Sequence, residues 1–366
     1  MRTKILTTLG VVALAGVASY WTASGVPVAA ADVGPQMTSI GPLTFGPDGV
    51  LFAADTQAAT IYALELGDKA NGGAPGTQGV DGIDQKIAGL LGTEAKEVIV
   101  TDLVVHPRTK NAYIAVMRGQ GAASKPALLR VDGAGKIDIV SFDTLKHTKV
   151  ALPNAPNAGT NPQRDPRQQS ITDMAFADGR LYIAGLSNEE FASKLRAVKY
   201  PFATADNGTS VEIFHGNHGQ LETRSPVYAF LPYSINNQPH LVAAYLCTPL
   251  VKFPVASLQA GTKVVGTTIA ELGNRNRPID MVLYKKDGRE FLLMSNTARG
   301  VMKIPTDGFA TATPITARVA TETGGVAYET IAAMKGIEQL DLLDGSRTLA
   351  LSRSEGTLNL VTAALP

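Results

Sequence analysis

The sequence has little cysteine, almost no net charge and few long apolar runs. Its single cysteine, Cys247, excludes an internal disulfide framework, a cysteine-rich zinc site and a CxxCH haem attachment. Lys and Arg number 33 against 32 Asp and Glu, so no overall field attracts nucleic acid. The basic residues are also scattered rather than striped. We therefore expect no nucleic-acid partner.

Several catalytic signatures are also absent. The chain has no P-loop, no GxSxG elbow, no HExxH helix motif and no dinucleotide fingerprint leading into a helix. Glycine and proline are abundant instead, at 36 and 21 of 366 residues. That composition favours a turn-rich β fold over a helix bundle.

The first 31 residues have the order of a secretory signal peptide. Arg2 and Lys4 form a basic n-region, an apolar stretch runs to about Trp21, and an A-x-A cleavage site ends at Ala31. The alternative is an uncleaved anchor, but the apolar run is short for a spanning helix of roughly 20 residues. We expect cleavage near Ala31, a periplasmic or secreted location, and no transmembrane segment in the mature chain, residues 32–366.

One module recurs six times along the mature chain: two apolar runs joined by a tight turn, a polar break and a third apolar run. The second runs begin near positions 50, 112, 181, 241, 291 and 348. Asp-Gly, the strongest short hairpin signal, occupies the turn in four copies: Asp48-Gly49, Asp178-Gly179, Asp287-Gly288 and Asp344-Gly345. Each interval leaves room for a fourth strand, for example at 136–142, 210–214 and 263–270.

Repeated four-stranded antiparallel sheets around an axis form an all-β β-propeller. We predict six blades in a single domain, residues 32–366. Seven blades would follow if Asn71 to Ile99 hid another, although Asp84 to Lys96 reads as a short helix or loop. The competing architectures are a β-sandwich, which rarely repeats one hairpin six times, and a β-helix, whose rungs are shorter.

The loops that enter the innermost strands of a propeller open on the same face as the loops between its second and third strands. Function on repeat folds collects in such loops. Ligand-binding side chains are therefore predicted at this channel mouth: Asp102, Asp173, Glu222, Arg224, Arg277, Asp280, Asn296 and Arg353. The alternatives are that these polar groups only wet the channel, and that Asp102 and Asp173 cap the backbone of a neighbouring blade.

The segment from Phe214 to Pro226 holds two of the five histidines, His215 and His218, with Glu222 four residues later. Two imidazoles and a carboxylate suit a divalent transition metal such as zinc or copper. Cys247 is a candidate fourth ligand, of a kind that copper prefers. The alternatives are a ligand contact, or histidines that cap backbone carbonyls in a glycine-flanked loop, with Cys247 as a small buried hydrophobe.

The blade sequences resemble the six-bladed propellers of the NHL and SMP-30/gluconolactonase-like group. The likeness lies in Pro47 to Asp55, Asp178 to Ala184 and Asp287 to Leu292. It implies the fold and, for the enzymes of that group, a divalent cation such as calcium at the channel mouth. The matching candidates in this sequence are Glu222, Asn296, Asp173 and Asp280. The loop with His215 and His218 is not part of that pattern.

These observations predict an exported, non-catalytic propeller that binds a small ligand or an exported protein partner at the channel-mouth face. The alternative is a metal-dependent hydrolase, lactonase- or esterase-like, in which a cation at the propeller axis polarises a carbonyl group. Any cofactor would be a divalent metal: calcium, zinc or copper.

Overall fold

The regular structure is nearly all β-strand. A computed structural model describes residues 34–68, 79–160, 165–247 and 249–366. Strands β1 to β13 are Leu43–Phe45, Val50–Asp55, Thr60–Glu65, Val98–Val105, Ala112–Arg118, Lys125–Val131, Ile137–Ile139, His147–Ala151, Asp173–Ala177, Arg180–Leu186, Ser193–Lys199, Thr209–His215 and Gln220–Glu222. Strands β14 to β26 are Val227–Ile235, Gln238–Tyr245, Pro249–Pro254, Lys263–Val265, Thr267–Leu272, Pro278–Lys286, Arg289–Asn296, Met302–Pro305, Thr323–Gly325, Glu329–Thr330, Ile337–Leu342, Arg347–Ser354 and Thr357–Ala364.

The α-helix of the described residues is α1, Ile83–Leu91, where the sequence predicted a short helix or loop. Short 3₁₀ turns are Pro47–Gly49, Ala95–Glu97, Gly121–Ala123, Pro166–Gln169, Val255–Ser257 and Ala332–Met334. None of the helices in these ranges is long and apolar enough to cross a membrane. The predicted signal peptide, residues 1–31, lies outside the described residues, so export and the domain boundary near Ala31 stay predictions.

The strands form six antiparallel blades, each starting with an innermost strand. In chain order the blades are β1-β2-β3-β8, β4-β5-β6-β7, β9-β10-β11-β12-β13, β14-β15-β16-β18-β22, β19-β20-β21-β23 and β24-β25-β26. Four strands are the common plan. The third blade also has β13 and β17, which pairs with β12 in parallel, the fourth also has β22, and the sixth has three strands. The predicted six-bladed β-propeller is confirmed. In the described part of residues 71–99 the chain forms α1 and a 3₁₀ turn, not a seventh blade.

The blades do not follow one another around the ring in chain order. Inner strand β1 contacts both β4 and β9, and the circuit continues through β14, β19 and β24 back to β4. The first blade therefore lies between the second and the third. The chain returns past the first blade after completing the second, and leaves β8 there as its outer strand.

Each contact between neighbouring blades has its own apolar core. The cluster around Phe52 and Ile183 joins the first and third blades, and the cluster around Leu51 and Tyr113 joins the first and second. Between the second and sixth blades, Ile83 and Ile87 of α1 pack into the core. These apolar cores fix the positions of the inner strands.

The ring closes through the segment that precedes α1. Val80 and Leu360 exchange backbone hydrogen bonds of 2.8 and 3.0 Å, which adds a rudimentary fourth strand to the sixth blade. Gly82 N–H also donates to the side chain of Asn359 at 2.8 Å. Residues early in the chain thus hold the last blade in the circuit.

The hairpin turns follow the predicted turn chemistry in two clear cases. Asp178 and Gly179 have φ values of 49° and 72°, and Asp287 and Gly288 have values of 50° and 79°, as a type I′ turn requires. The Asp344-Gly345 turn differs, because neither residue has positive φ. In this turn the Asp344 carboxylate accepts hydrogen bonds from the backbone N–H groups of Ser346 and Arg347.

Four inner strands carry a register shift near their N-terminal ends. The shifts lie at Val100/Asp102, Val227/Ala229, Pro278/Asp280 and Ile337/Gln339. A bulge of this kind leaves one residue unpaired and changes the aim of the side chains beside it. Three of the residues that follow the shifts, Asp102, Asp280 and Gln339, lie on the channel wall.

Candidate functional site

The six inner strands enclose a central channel with a cavity of about 510 Å³. Residues from β1, β4, β9, β14, β19 and β24 all contribute to its wall. Its polar side chains include Thr101, Asp102, Thr172, Asp173, Tyr228, Asp280, Gln339 and Asp341. The structure thus brings together three of the predicted residues, Asp102, Asp173 and Asp280, and adds Asp341 and Gln339.

Each of the four channel aspartates connects two blades. Asp173 accepts a hydrogen bond from the N–H of Phe230 in the fourth blade at 2.7 Å, and another from its own neighbour Met174 at 2.7 Å. Asp102 likewise accepts from the N–H of Leu43 in the first blade at 2.5 Å, and from the N–H of its own neighbour Leu103 at 2.7 Å. The blade-capping role left open by the sequence is therefore observed. Each carboxylate oxygen keeps acceptor capacity beyond these bonds.

Asp280 and Asp341 repeat the arrangement on the other side of the ring. Asp280 accepts from Leu340 N–H of the sixth blade at 3.0 Å, and Asp341 accepts from Val105 N–H of the second blade at 2.7 Å. Four of the six blade boundaries are connected by carboxylates in this way. The same four side chains therefore connect the blades and line the channel.

The enclosed position of these carboxyl groups favours their neutral form. Burial raises the pKa of Asp102, Asp173 and Asp280 well above the usual range of an aspartate. Mutual repulsion adds to burial, since Asp280 is acted on by the charge of Asp102. Burial also raises the pKa of Asp341 to about 6. Ionising these carboxyl groups is therefore costly, and a positive group among them would favour their ionised form.

Gln339 bridges two of these carboxylates. With its amide oriented to satisfy its neighbours, the nitrogen lies 3.1 Å from Asp102 Oδ1 and 3.3 Å from Asp280 Oδ2. An amide N–H donates to a carboxylate without neutralising it. This donor marks a point on the channel wall where two carboxylates of different blades converge.

Two arginines predicted for the mouth already have partners there. Arg277 is exposed and lies over the ring of Tyr228, with its guanidinium carbon 5.4 Å from the ring centroid. Arg353 donates to both oxygens of Glu338, at 2.6 and 3.2 Å. Tyr228 lines the cavity, so Arg277 lies next to the channel.

The remaining predicted mouth residues are not on the channel wall. Asn296 is buried and closes its own loop, since its amide donates to Gly300 O at 2.6 Å and its oxygen accepts from Arg299 N–H at 2.8 Å. Arg224 is exposed in the segment after β13. Glu222 belongs to β13, at the outer edge of the third blade.

Glu222 lies with the two histidines in the β12–β13 hairpin. Its Oε1 is 3.1 Å from His215 Nδ1 and 2.6 Å from His218 Nδ1. The imidazole centroids are 3.8 Å apart. Burial acts to raise the pKa of Glu222, but hydrogen bonds from the histidines outweigh it and lower the pKa to about 2. The three groups predicted as metal ligands thus share one site, with candidate ligand atoms within 4.8 Å of one another.

Cys247 is not part of this group. Among the His, Cys, Asp and Glu side chains of the described residues, the set within mutual reach consists of His215, His218 and Glu222. Cys247 follows β15 in the fourth blade, where its N–H donates to Asn276 O at 2.8 Å. Cys247 is thus outside the set of three, and its role as a fourth ligand stays a prediction.

The ligand set required by the hydrolase alternative is likewise not assembled. Asp173 and Asp280 line the channel, whereas Glu222 lies at the outer edge and Asn296 is hydrogen-bonded within its loop. Only two of these four candidate ligands, Asp173 and Asp280, therefore lie on the channel wall. The arrangement does not favour a cation-dependent hydrolase built on these residues.

Sequence reasoning missed three residues of these two sites: Asp341, Gln339 and Glu271. The bulge at Ile337/Gln339 moves the alternation of β24 by one residue, so a simple period-2 reading misplaces its channel-facing positions. Glu271 belongs to β18, in a different blade from the histidines it approaches. A glutamate within an otherwise apolar strand, Thr267–Leu272, was the available signal.

No protein-family model and no curated protein matches this chain. The soluble aldose sugar dehydrogenase of Escherichia coli, in its apo form, is 10% identical, with a TM-score of 0.34 over 90% of this chain and 97% of that chain. The Bacteroides ovatus xyloglucan PUL GH43B structure is 12% identical, with a TM-score of 0.33 over 74% of this chain and 52% of that one. Likeness at this level carries no argument about activity, and the fold assignment rests on the ring of blades.

Proposed function

We propose that this protein is an exported, non-catalytic β-propeller that binds a small organic cation in its central channel. The observation that carries the proposal is the meeting of Asp102, Asp173, Asp280 and Asp341 around one cavity of about 510 Å³. In the part of the chain that the structure describes, no cationic side chain acts on Asp102, Asp173 or Asp280, and the charge of Lys110 acts on Asp341.

A positively charged ligand would supply a counter-charge for the carboxyl groups of the channel wall. Burial and mutual repulsion oppose ionisation of the carboxyl groups, and attraction to an ammonium group among them would offset both costs. Thr101 adds a buried hydroxyl on the same wall that has no hydrogen-bond partner in the described residues. Donors from a ligand would satisfy this oxygen and the remaining lone pairs of the carboxylates.

Lactonase activity, as in relatives of the SMP-30 group, is not part of this proposal. Two of the cation ligands that the resemblance suggested lie away from the channel. Glu222 contacts His218, and Asn296 donates to Gly300 O within its own loop. Membership of the NHL and SMP-30 group stays a proposal based on the blade signature. An exported protein partner at the mouth also stays a prediction.

Calorimetry with a matched pair of probes tests the proposal. We expect 1,4-diaminobutane to bind the full mature chain and butane-1,4-diol, of the same length but neutral, to bind at least about tenfold more weakly. Since binding favours ionised carboxylates, it should release protons, and the observed enthalpy should depend on the ionisation enthalpy of the buffer.

Variants separate the channel from the rest of the surface. Gln339→Lys places an ammonium group between Asp102 and Asp280, and should abolish diamine binding while raising the unfolding temperature. Asp307→Asn, an exposed carboxylate paired with Arg289, is the control and should leave binding unchanged. Equal binding of diamine and diol, or unchanged diamine binding by Gln339→Lys, would overturn the channel assignment.

A further inference from the structure

The turn of the β12–β13 hairpin places two imidazoles against one carboxylate. Gly219 N–H and His218 N–H both donate to His215 O, at 2.7 and 3.2 Å, and Gly219 has a φ of 69°. This tight turn brings His218 back over His215, and Glu222 returns beside both on β13. The arrangement is therefore local and is fixed by the backbone.

His215 lies between two carboxylates. Its side chain is 2% exposed, with Nδ1 3.1 Å from Glu222 Oε1 and Nε2 3.7 Å from Glu271 Oε2. Nε2 is buried and has no hydrogen-bond partner in the described residues. A neutral imidazole that donates from Nδ1 to Glu222 would leave a bare nitrogen facing Glu271, which is unfavourable in a buried site.

Glu271 is held firmly in that position. Its Oε1 accepts from Gly216 N–H at 2.6 Å, and its Oε2 accepts from the Asn217 amide at 3.2 Å. Gly216 is required for this approach, because a Cβ there would come within 2.8 Å of Ile315 and Val319. The fourth blade thus presents a fully buried carboxylate to the far side of His215.

A metal ion resolves the conflict at His215. If a cation takes the lone pair of Nδ1, the ring proton resides on Nε2 and points at Glu271. That is the carboxylate–histidine–metal arrangement by which buried carboxylates commonly orient metal-bound histidines. The competing state is a metal-free imidazolium between the two glutamates, and zinc titration distinguishes the two.

We propose that the β12–β13 hairpin is a divalent transition-metal site, selective for zinc-like cations, in which His215, His218 and Glu222 are the ligands and Glu271 positions His215. Two nitrogen donors exclude calcium as the preferred ion, since calcium takes oxygen ligands. Three protein ligands leave one position of a tetrahedral zinc open. That position faces solvent, as the side chain of His218 is 47% exposed.

The geometry needs only small movements to accept the ion. Ligand bonds of about 2.0–2.2 Å in a tetrahedron place donor atoms roughly 3.3–3.6 Å apart. The pair His215 Nδ1 and Glu222 Oε1, at 3.1 Å, is already close to this spacing. The pair with His218, at 2.6 Å, must widen, and His218 is exposed enough to rotate.

Zinc titration of the untagged, chelator-treated mature chain tests the site. Calorimetry should show one zinc per chain and no binding of calcium at the same concentration, and Co²⁺ should give the d–d absorption of a tetrahedral site. His218→Ala removes an exposed ligand, and should weaken zinc binding at least about tenfold while leaving metal-free thermal unfolding unchanged. His147→Ala, a histidine of the first blade, is the matched control and should bind zinc as the wild type does.

Glu271→Gln tests the positioning role. The amide oxygen can still accept from Gly216 N–H, but it no longer attracts the proton of His215. Loss of such a partner typically lowers metal affinity about 10–100-fold, and the Co²⁺ spectrum should shift because the imidazole becomes a weaker donor. Unchanged zinc affinity in His218→Ala, or an equal loss in His147→Ala, would overturn the site and favour the imidazolium state. Unchanged affinity and spectrum in Glu271→Gln would overturn the positioning role.

Discussion

Asp341 Oδ2 accepts a hydrogen bond of 2.7 Å from the backbone N–H of Val105, although 236 positions separate the two residues in the chain. The bond joins the sixth blade to the second and lies at the closure of the ring. It explains why an ionisable side chain occupies a costly position on the channel wall. The carboxylate connects two blades, and its charge is the part of the arrangement that depends on pH.

Stability should carry a component that depends on Asp341 and falls as pH rises. Burial raises the folded-state pKa of Asp341 to about 6, against about 3.9 in an unfolded chain. The folded state therefore holds the proton more tightly. Its contribution is full below about pH 4 and is lost as pH rises through about 6. The loss amounts to at most about 3 kcal/mol.

Urea unfolding between pH 4 and 7 checks this by comparing wild type with Asp341→Asn. The difference in unfolding free energy should change with pH, because the variant lacks this component. The charge of Lys110 lowers the pKa of Asp341 and stays in both proteins. The charge of Asp341 raises the pKa of Asp102 and Asp280, so its replacement also reduces their pH dependence, which changes the difference in the same direction. Asp344→Asn is the control. Hydrogen bonds from Arg347 lower the pKa of Asp344, so its contribution is lost only below about pH 4 and its difference should stay constant above. A constant difference for Asp341→Asn as well would contradict the prediction.

The repeat of hairpins was predictable because its signals are local. Turns such as Asp178-Gly179 and the succession of apolar runs depend only on residues close together in the sequence. These signals were enough to predict the number of blades and the fold class. The order of the blades was not predictable, because it depends on contacts such as those of β1 with both β4 and β9. The outer strand β8 lies far from β3 in sequence and carries no signal for its partner.

In both candidate sites, the residues that depend on local sequence were predictable and those brought in by contacts between blades were not. The His215, His218 and Glu222 group lies within eight residues of sequence, so the spacing alone suggested it. Glu271 joins it only through the packing of two blades. On the channel wall, Asp102 and Asp280 were predicted at the starts of inner strands, and both lie in the N-terminal part or middle of β4 and β19. The bulge beside Gln339 concealed the contribution of β24, the inner strand of the sixth blade.

The helix that packs against the ring closure should contribute strongly to stability. Ile87 of α1 is fully buried in the core between the second and sixth blades, and Leu90 of the same helix is 48% exposed. Truncation of a buried isoleucine leaves a cavity and typically costs about 2–5 kcal/mol. We expect Ile87→Ala to lower the unfolding free energy by that amount, and Leu90→Ala to lower it by less than about 1 kcal/mol. Equal losses in chemical denaturation would show that α1 does not brace the closure.

The leader should be removed after Ala31. With cleavage there, Ala31 and Ala29 are the small residues that a signal peptidase requires, and the side chain of Ala30 is free to vary. Mass spectrometry of the exported protein should find Asp32 at the amino terminus. Ala29→Lys should block processing and leave the full-length chain, whereas Ala30→Lys should be processed as the wild type is. Normal processing of Ala29→Lys would place the cleavage site elsewhere.

Replacing Arg196 with methionine should stabilise the protein. Arg196 is 2% exposed, its Nε and Nη1 have no hydrogen-bond partners in the described residues, and burial lowers its pKa to about 10. A buried cation without good partners is costly, and an apolar side chain of similar length is often neutral or stabilising in its place. The acids nearby do not lose a needed partner, because Glu189 is paired with Lys194 and Asp206 is exposed.

We therefore expect Arg196→Met to raise the free energy of unfolding by about 1 kcal/mol or more in urea denaturation at pH 7. Arg180→Met, on the adjacent strand at an exposed position, is the matched control and should change stability by less than about 0.5 kcal/mol. A loss of stability in Arg196→Met that Arg180→Met does not share would show that the guanidinium is satisfied in solution, by a bound anion or by water in the adjoining cavity of about 150 Å³. Adding phosphate would separate these two sources, since only an anion site would stabilise the wild type and leave Arg196→Met unaffected.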